Sequence, residues 1–401
     1  MAAYAAAESG NRVILLEKNE KLGKKIYITG KGRCNLTNDL SPDAFLENVL
    51  RGKKFMTGAV YSFSPQKTMD FFESHGLALK IERGGRVFPV SDHASDVTKA
   101  LERACREVGV EIRLNEEVKE LITQSTMSDK GIMPRIVGVK TEREEIVCDV
   151  AIVSTGGVSY PSTGSTGDGH RFALRAGISV TDLKPSLCGL NLKGDFFKDL
   201  QGLALKNVTL SVYRGEKKLF EEFGEALFTH FGISGPIVLS LSAQINRMEL
   251  KELTLSLDLK PALDEATLDK RILRDFDKYK NKQLMNALVE LLPQKLIQAV
   301  LFAAKLDGKK PVNFLTKEER MRLVAAFKHF TMQPVSLRDF SEAIVTSGGV
   351  DLSEINPKDM SAKKIIGLKF CGEVLDIDAF TGGFNLQLAF SSGYAAGKSV
   401  K

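Results

Sequence analysis

The sequence predicts an α/β fold: a doubly wound domain on a parallel sheet, interrupted by an α+β insert. Three observations predict it. The buried-strand run Val13-Ile14-Leu15-Leu16 ends on an acid, Glu17. Two later apolar runs, Val150 to Ser154 and Gly367 to Cys371, each break into Gly-rich turns that lead into helices. Between 185 and 340 the pattern changes to alternating apolar and polar residues, the period of a half-buried antiparallel sheet.

A chain of 401 residues with 43% hydrophobic content can bury one large core and a second smaller one. The expected division is 1–184 for the first part of the doubly wound domain, 185–340 for an inserted substrate or cap domain, and 341–401 for the C-terminal part. The net charge of +6 comes from 56 Lys and Arg against 50 Asp and Glu spread along the length. Pairs such as Lys24-Lys25 and Lys363-Lys364 are isolated, and no aromatic residues interleave with them. The excess therefore reads as a solvated surface with a mild bias toward anionic ligands, and no nucleic-acid partner is expected. Cys34, Cys105, Cys148, Cys188 and Cys371 are scattered and odd in number, without a Cys-x-x-Cys. That spacing speaks for a reducing cytoplasm and against a metal site. No apolar run approaches the ~18 residues of a membrane span, and the first residues do not read as a signal peptide.

The opening stretch, Met1 to Glu8, is strongly helix-forming and stops at Gly10. The strand ending on Glu17 then reads as the second half of a βαβ dinucleotide unit, whose closing acid hydrogen-bonds a ribose. In that unit a Gly-x-Gly-x-x-Gly turn lies about 20 residues before the acid, which is before Met1. Either the chain never needed the loop, or Met1 is an internal start inside the first helix. The second is favoured, and with it comes the expectation of weak cofactor retention unless a strand and loop are restored upstream. Next, Thr29-Gly30-Lys31-Gly32-Arg33-Cys34-Asn35 gathers glycines, a cation and an amide that can lie against a cofactor; alone it would be a surface loop.

Residues 42–82 read as two helical pieces, the second capped at Ser64-Pro65. A strand at 86–89, an amphipathic helix at 95–108, a strand at 110–114 and a β-meander from 117 to 154 follow. Thr155-Gly156-Gly157 and the segment Ser162 to Gly169 place backbone near a ligand, but they lack the Gly-Lys-Ser/Thr end of a P-loop. In the insert, Phe228 to Pro236 has only a superficial likeness to a nucleophile elbow. Ser234 reads as a helix cap before Pro236, and His230 as a packing residue. Leu268 to Leu306 reads as helical, and Thr316 with Glu319 as a capping box.

The C-terminal stretch organises the rest. A short apolar run reaches Gly372-Glu373, Asp376 follows, a turn carries Gly382-Gly383, and a small-residue helix begins near Phe384 and Asn385. A strand delivering an acid, glycines that let backbone approach a flat ring, and a helix N-terminus aimed at it together suit a flavin. The bland alternative is a strand, a turn and a packing helix.

Taken together, Leu-Leu-Glu-Lys-Asn at 15–19, Thr-Gly-Lys-Gly-Arg-Cys-Asn at 29–35, Gly-Arg-Val-Phe-Pro at 85–89, Ser-Thr-Gly-Ser-Thr-Gly-Asp-Gly at 162–169, Phe-Thr-His-Phe-Gly-Ile-Ser-Gly-Pro at 228–236 and the segment from Cys371 to Gly397 resemble a bacterial family of FAD-dependent flavoproteins. That family includes aminoacetone oxidase and bile-acid-intermediate reductase-like proteins. The resemblance covers nearly the whole chain and implies a Rossmann-like FAD-binding domain, here without its first strand and Gly-rich loop. It implies that Glu17, with Lys18 beside it, holds the adenosine ribose, and that Gly32, Arg33, Cys34, Asn35, Thr155, Gly156 and Gly157 line the FAD. Gly372, Glu373 and Asp376 would meet the ribityl and phosphate region, and Gly382, Gly383, Phe384 and Asn385 the isoalloxazine. Lys31 departs from the pattern by replacing a small residue. The implied function is hydride transfer between flavin and a small organic substrate, of the amine or ketone oxidase or the enone reductase type. NAD(P)H could act only as a transient donor, since no second dinucleotide motif exists. The alternative is an FAD-deficient remnant without activity.

Overall fold

The computed structural model describes residues 1–128 and 131–400. They divide into two compact units, Met1–Pro185 with Phe340–Lys401, and Ser186–Asp339.

The first unit begins with α1 (Ala2–Glu8), β1 (Ile14–Glu17) and α2 (Lys24–Ile28). After several short elements come α3 (Lys53–Ser62) and, further on, α4 (Ala94–Glu107) and β2 (Glu111–Leu114). Further on lie β3 (Ala151–Val153), α5 (Asp168–Arg175), β4 (Val345–Ser347), β5 (Leu368–Phe370) and α6 (Phe384–Lys398). β1 runs parallel to β2 with Glu17 opposite Leu114. β3 runs parallel to β5 with Val153 opposite Phe370. The parallel pairing thus falls into two separate pairs. The expected meander is present as Val118–Ser128, Gly131–Thr141 and Glu145–Val147. Phe370, Leu368, Leu388 and Ala396 are almost wholly buried in one core, and Phe72, Leu36 and Val97 in a neighbouring one.

α1 lies tightly on α6. A Cβ on Gly397 would collide with the Ala2 carbonyl and stand 2.9 Å from Ala5 Cβ. Small residues on both helices let the backbones approach, and the alanines favour helix at the same time.

Residues 42–82 correct the sequence expectation of two helical pieces. Helices cover Pro42–Leu46, Lys53–Ser62 and Pro65–Ser74, and Leu79–Glu82 is a strand. Between the first two helices, Val49–Arg51 pairs antiparallel with Asp378–Ala379, and Gly52 at φ 76° restarts the helix. Ser64 does cap the third piece, accepting from Lys67 N.

The second unit is built on a seven-stranded antiparallel sheet, ordered Phe330–Met332, Leu253–Asp258, Ala204–Arg214, Lys217–Thr229, Gly232–Ser234, Leu190–Leu192, Pro334–Leu337. Leu210, Val212, Leu255 and Leu257 pack from it against Val238, Leu241 and Phe327 of its helices. The helical stretch expected at 268–306 breaks into Glu265–Lys278, Leu284–Ala287 and Gln294–Ala304, with Pro293 at the last cap. Thr316 and Glu319 form the reciprocal capping box. Ser234 is corrected: it ends a strand, and Gly235 at φ 100° occupies the cap position before Pro236. The Gly235 Cβ position is 2.9 Å from Leu227 N, so close backbone approach selects glycine there. His230 is exposed and meets Phe231 edge-on.

Candidate cofactor site

Glu17 sits half-buried at the C-terminal end of a parallel strand, the end at which open α/β sheets bind ligands. One of its oxygens, Oε1, accepts from Asn19 N at 2.9 Å and Asn19 Nδ2 at 2.7 Å. Among the described residues no hydrogen bond or ion pair occupies Oε2. The next residue turns outward to the 163–169 segment, where Lys18 Nζ donates to Thr166 Oγ1 at 2.7 Å and Asp168 Oδ2 at 2.6 Å. Asn19 Nδ2 also reaches the Thr163 carbonyl at 3.3 Å.

That segment folds back on the turn after β3. Gly167 N donates to the Gly157 carbonyl at 3.2 Å, and Gly169 N to Thr155 Oγ1 at 3.0 Å. Gly156 at φ 74° would bring a Cβ to 2.9 Å from Ser165 Oγ. A Cβ on Gly157 would run into Thr346 Oγ1 and lie 3.2 Å from Glu373 Oε1. Glu373 is held from two sides: Lys25 Nζ donates to Oε2 at 2.7 Å and Thr346 N to Oε1 at 2.8 Å. Thr346 Oγ1 in turn accepts from Val158 N and Ser159 N. Glu17, Lys18, Thr155, Gly156, Gly157 and Glu373 are therefore joined by one network. Lys25, Asn19, Thr346 and Asp168 belong to it and were not singled out as site residues from sequence.

His170, in the first turn of α5, is 4% exposed. Its Nε2 donates to the Val374 carbonyl at 3.2 Å, which leaves Nδ1 as a buried acceptor without a partner. Burial holds the imidazole below its ordinary pKa, against the smaller opposing effects of the Val374 hydrogen bond and Glu373. The ring is neutral at pH 7.

The other sequence-predicted residues meet different fates. Arg33 does not project as a free cation; it pairs with Glu82 and Asp92 and lies 4.2 Å over the Phe88 ring. Cys34 is fully buried at φ 60°, its thiol pushed up to about 12 by burial. Asn35 keeps a buried Oδ1 without a partner, and Gly32 faces open space apart from the Tyr27 carbonyl at 3.9 Å. Gly372 donates its N–H to Ser392 Oγ at 3.0 Å, and Asp376 accepts from Thr181 Oγ1 at 2.9 Å. Asn385 clamps its own turn, donating to Ala379 and Phe380 carbonyls and accepting from Ala379 N. Phe384 is buried against Phe45 at 5.2 Å. Gly382 and Gly383 are glycines for internal reasons: a Cβ would stand 2.8 Å from Phe384 Cε2 in the first and collide with the Thr37 backbone in the second.

Glu17 Oε2, on a half-buried residue at the end of β1, has no protein donor and fits a ribose hydroxyl of an adenine dinucleotide. Asn35 Oδ1, outside that network, and His170 Nδ1 are buried acceptors without protein donors, and such acceptors match hydroxyl or amino donors of a ligand. Among the described residues no group of His, Cys, Asp and Glu has a metal-binding arrangement, and no helix is long and apolar enough to cross a membrane.

A family profile described as HI0933-like protein Rossmann domain matches residues 1–399. The chain is 30% identical over 404 residues to the 3-dehydro-bile acid delta(4,6)-reductase of Clostridium scindens, covering 100% of this chain and 96% of that protein. It is 29% identical over 396 residues to the ribosomal RNA dihydrouridine synthase of Escherichia coli, covering 98% and 93%. In fold it is similar to the 3-ketosteroid-delta4-(5alpha)-dehydrogenase of Rhodococcus jostii RHA1, with TM-score 0.52 at 16% identity over 99% and 93% of the two chains. The open flavocytochrome c3 fumarate reductase gives TM-score 0.50 at 17% identity over 99% and 75%.

Proposed function

The chain belongs to the HI0933-like Rossmann family, and from that premise we propose that it is an FAD-dependent oxidoreductase that reduces a carbon–carbon double bond conjugated to a carbonyl in a small organic substrate. The observation that carries the cofactor is Glu17, a carboxylate at the carboxyl end of a parallel strand with Oε2 left without a donor. The reaction type is supported by the relatives' names. A delta(4,6)-reductase of a 3-dehydro steroid acid and a synthase that makes dihydrouridine both reduce such a bond.

In this reading Glu17 accepts from the adenosine ribose hydroxyls. Lys18, locked to Asp168 and Thr166, holds the 163–169 turn against the end of β1. Lys25 and Thr346 fix Glu373 so that its carboxylate orients the ribityl chain. Asn35 Oδ1 and His170 Nδ1 serve as neutral acceptors. The amino end of α6 favours negative charge beside it through the helix dipole. FAD, if bound, would supply the hydride for the carbon β to the carbonyl, with a proton from solvent for the α carbon. NAD(P)H docking transiently would be the source of the two electrons.

The test is anaerobic. Protein reconstituted with FAD and chemically reduced is mixed with 4-androstene-3,17-dione, with a saturated ketone, and with an isolated alkene. Reoxidation by the conjugated enone alone, with the reduced product recovered, is expected. No reoxidation by any conjugated carbonyl, with fast reoxidation by oxygen and reduction by amines, would move the chain to the oxidase type. A second reading keeps the reaction and changes the carrier to a uridine in RNA. It is favoured by the dihydrouridine synthase relatives, against the expectation from charge distribution of no nucleic-acid partner, and a uridine-containing RNA arm in the same assay distinguishes it.

A further inference from the structure

A cavity in the first unit shares no lining residue with the network around Glu373. It has a volume of about 470 Å³ and runs between α3, the C-terminal end of α6 and the turn at Pro357-Lys358. Its floor is apolar, with Phe55, Ala59 and Ala395, and Lys54, Lys358 and Lys398 stand around it with no Asp or Glu in the lining. Among the described residues Lys54 and Lys358 form no ion pair, and Lys398 reaches only Glu8 at 3.4 Å.

Behind the lining residue Ser399 lies a further cation. Lys369 is 5% exposed, and its Nζ donates to Ser399 Oγ at 2.6 Å and to the Asp359 carbonyl at 3.2 Å. Ser399 lines the cavity. An ammonium carries three donors, so one is unspent, and neither partner is an anion. Burial lowers the affinity of Lys369 for its proton, partly offset by Asp359 and Cys371. Asp359 offsets the cost of burying this cation only in part, and a negative ligand held among the lysines beside Ser399 lowers it further.

We propose that this cavity binds a phosphate-bearing small molecule with an apolar body, the phosphate taken by Lys54, Lys358 and Lys398 and the body by Phe55, Ala59 and Ala395. Charge selects phosphate over carboxylate: three surface ammonium groups suit a dianion better than a monoanion, and lysine binds phosphate as a point charge. The carboxyl end of α6 opposes an anion with about half a negative charge, which the lysines outweigh. The volume lies within the ~300–1,000 Å³ typical of ligand pockets.

Gly58 gives a clean test. It lines the cavity within α3, and a Cβ there meets nothing within 4 Å. Gly58→Leu therefore fills the cavity without backbone strain and favours the helix. Phenyl phosphate is titrated into the full-length protein by calorimetry, with phenol and inorganic phosphate as controls. Saturable binding of phenyl phosphate is expected, at least tenfold tighter than either control. It should weaken at least tenfold in Gly58→Leu and in the double variant K54Q/K358Q, both retaining the wild-type circular dichroism. No saturable binding to the wild type, or equal binding to wild type and Gly58→Leu, would overturn the proposal.

Discussion

Lys25 Nζ lies 2.7 Å from Glu373 Oε2, so a lysine in the first short helix after β1 is tied to a carboxylate just beyond β5. The pair also connects the chain's two ends, 348 positions apart. Side-chain exposures of 23% and 18% make it neither a solvated pair nor a buried one. In a double-mutant cycle of Lys25→Met and Glu373→Gln, a coupling of about 0.5–1 kcal/mol is expected from urea unfolding. A coupling of zero would mean that Thr346 N–H alone positions the carboxylate.

Gly383→Val should destabilise the fold whether or not FAD is present. The Cβ would meet the Thr37 backbone, and φ is +95°, so a cost of about 1–3 kcal/mol is expected from crowding alone. Urea midpoints with and without FAD measure it. A loss confined to the FAD-loaded protein would instead implicate contact with the ring.

Cys34 and Cys371, raised to about 12 by burial, should not react with Ellman's reagent in the native protein and should react fully in urea, because the thiolate is the nucleophile. Rapid native labelling of Cys34→Ser-sensitive sites would return Cys34 to an exposed, ligand-lining position.

His170 makes stability depend on acid. Its folded pKa lies below the ordinary 6.5, so below that pH the unfolded chain takes up a proton that the folded chain refuses. Stability is therefore complete above about 6.5 and falls as pH drops, until the folded value is reached. The loss is about 1.4 kcal/mol for each unit between the two values. Thermal melts from pH 7.5 to 5 should show a smaller acid loss in His170→Asn; an unchanged loss would exclude this imidazole.

The sequence made some of this legible and hid the rest for physical reasons. An apolar run ending on Glu17 announces a strand delivering an acid, since burial and alternation are local properties. The Thr316 and Glu319 box is local too. Asn19, Lys25 and Thr346 had no local signature: their role comes from approaching Glu17 and Glu373 in the folded chain. Arg33 looked like a cation for a ligand because Glu82 and Asp92, its partners, lie some fifty positions on. Gly382 and Gly383 looked like ligand glycines, and their need for φ > 0 beside Phe384 and Thr37 was invisible without packing.

The most direct measurement is an FAD titration of apoprotein, followed by flavin fluorescence, in wild type, Glu17→Ala and Gly58→Leu. Losing a charged hydrogen-bond acceptor costs about 1.5–3 kcal/mol. Saturable FAD binding is predicted, weak as the sequence leads one to expect, with affinity lowered at least tenfold further in Glu17→Ala and unchanged in Gly58→Leu. No saturable FAD binding to the wild type, or equal affinity in Glu17→Ala, would contradict the assignment of this site.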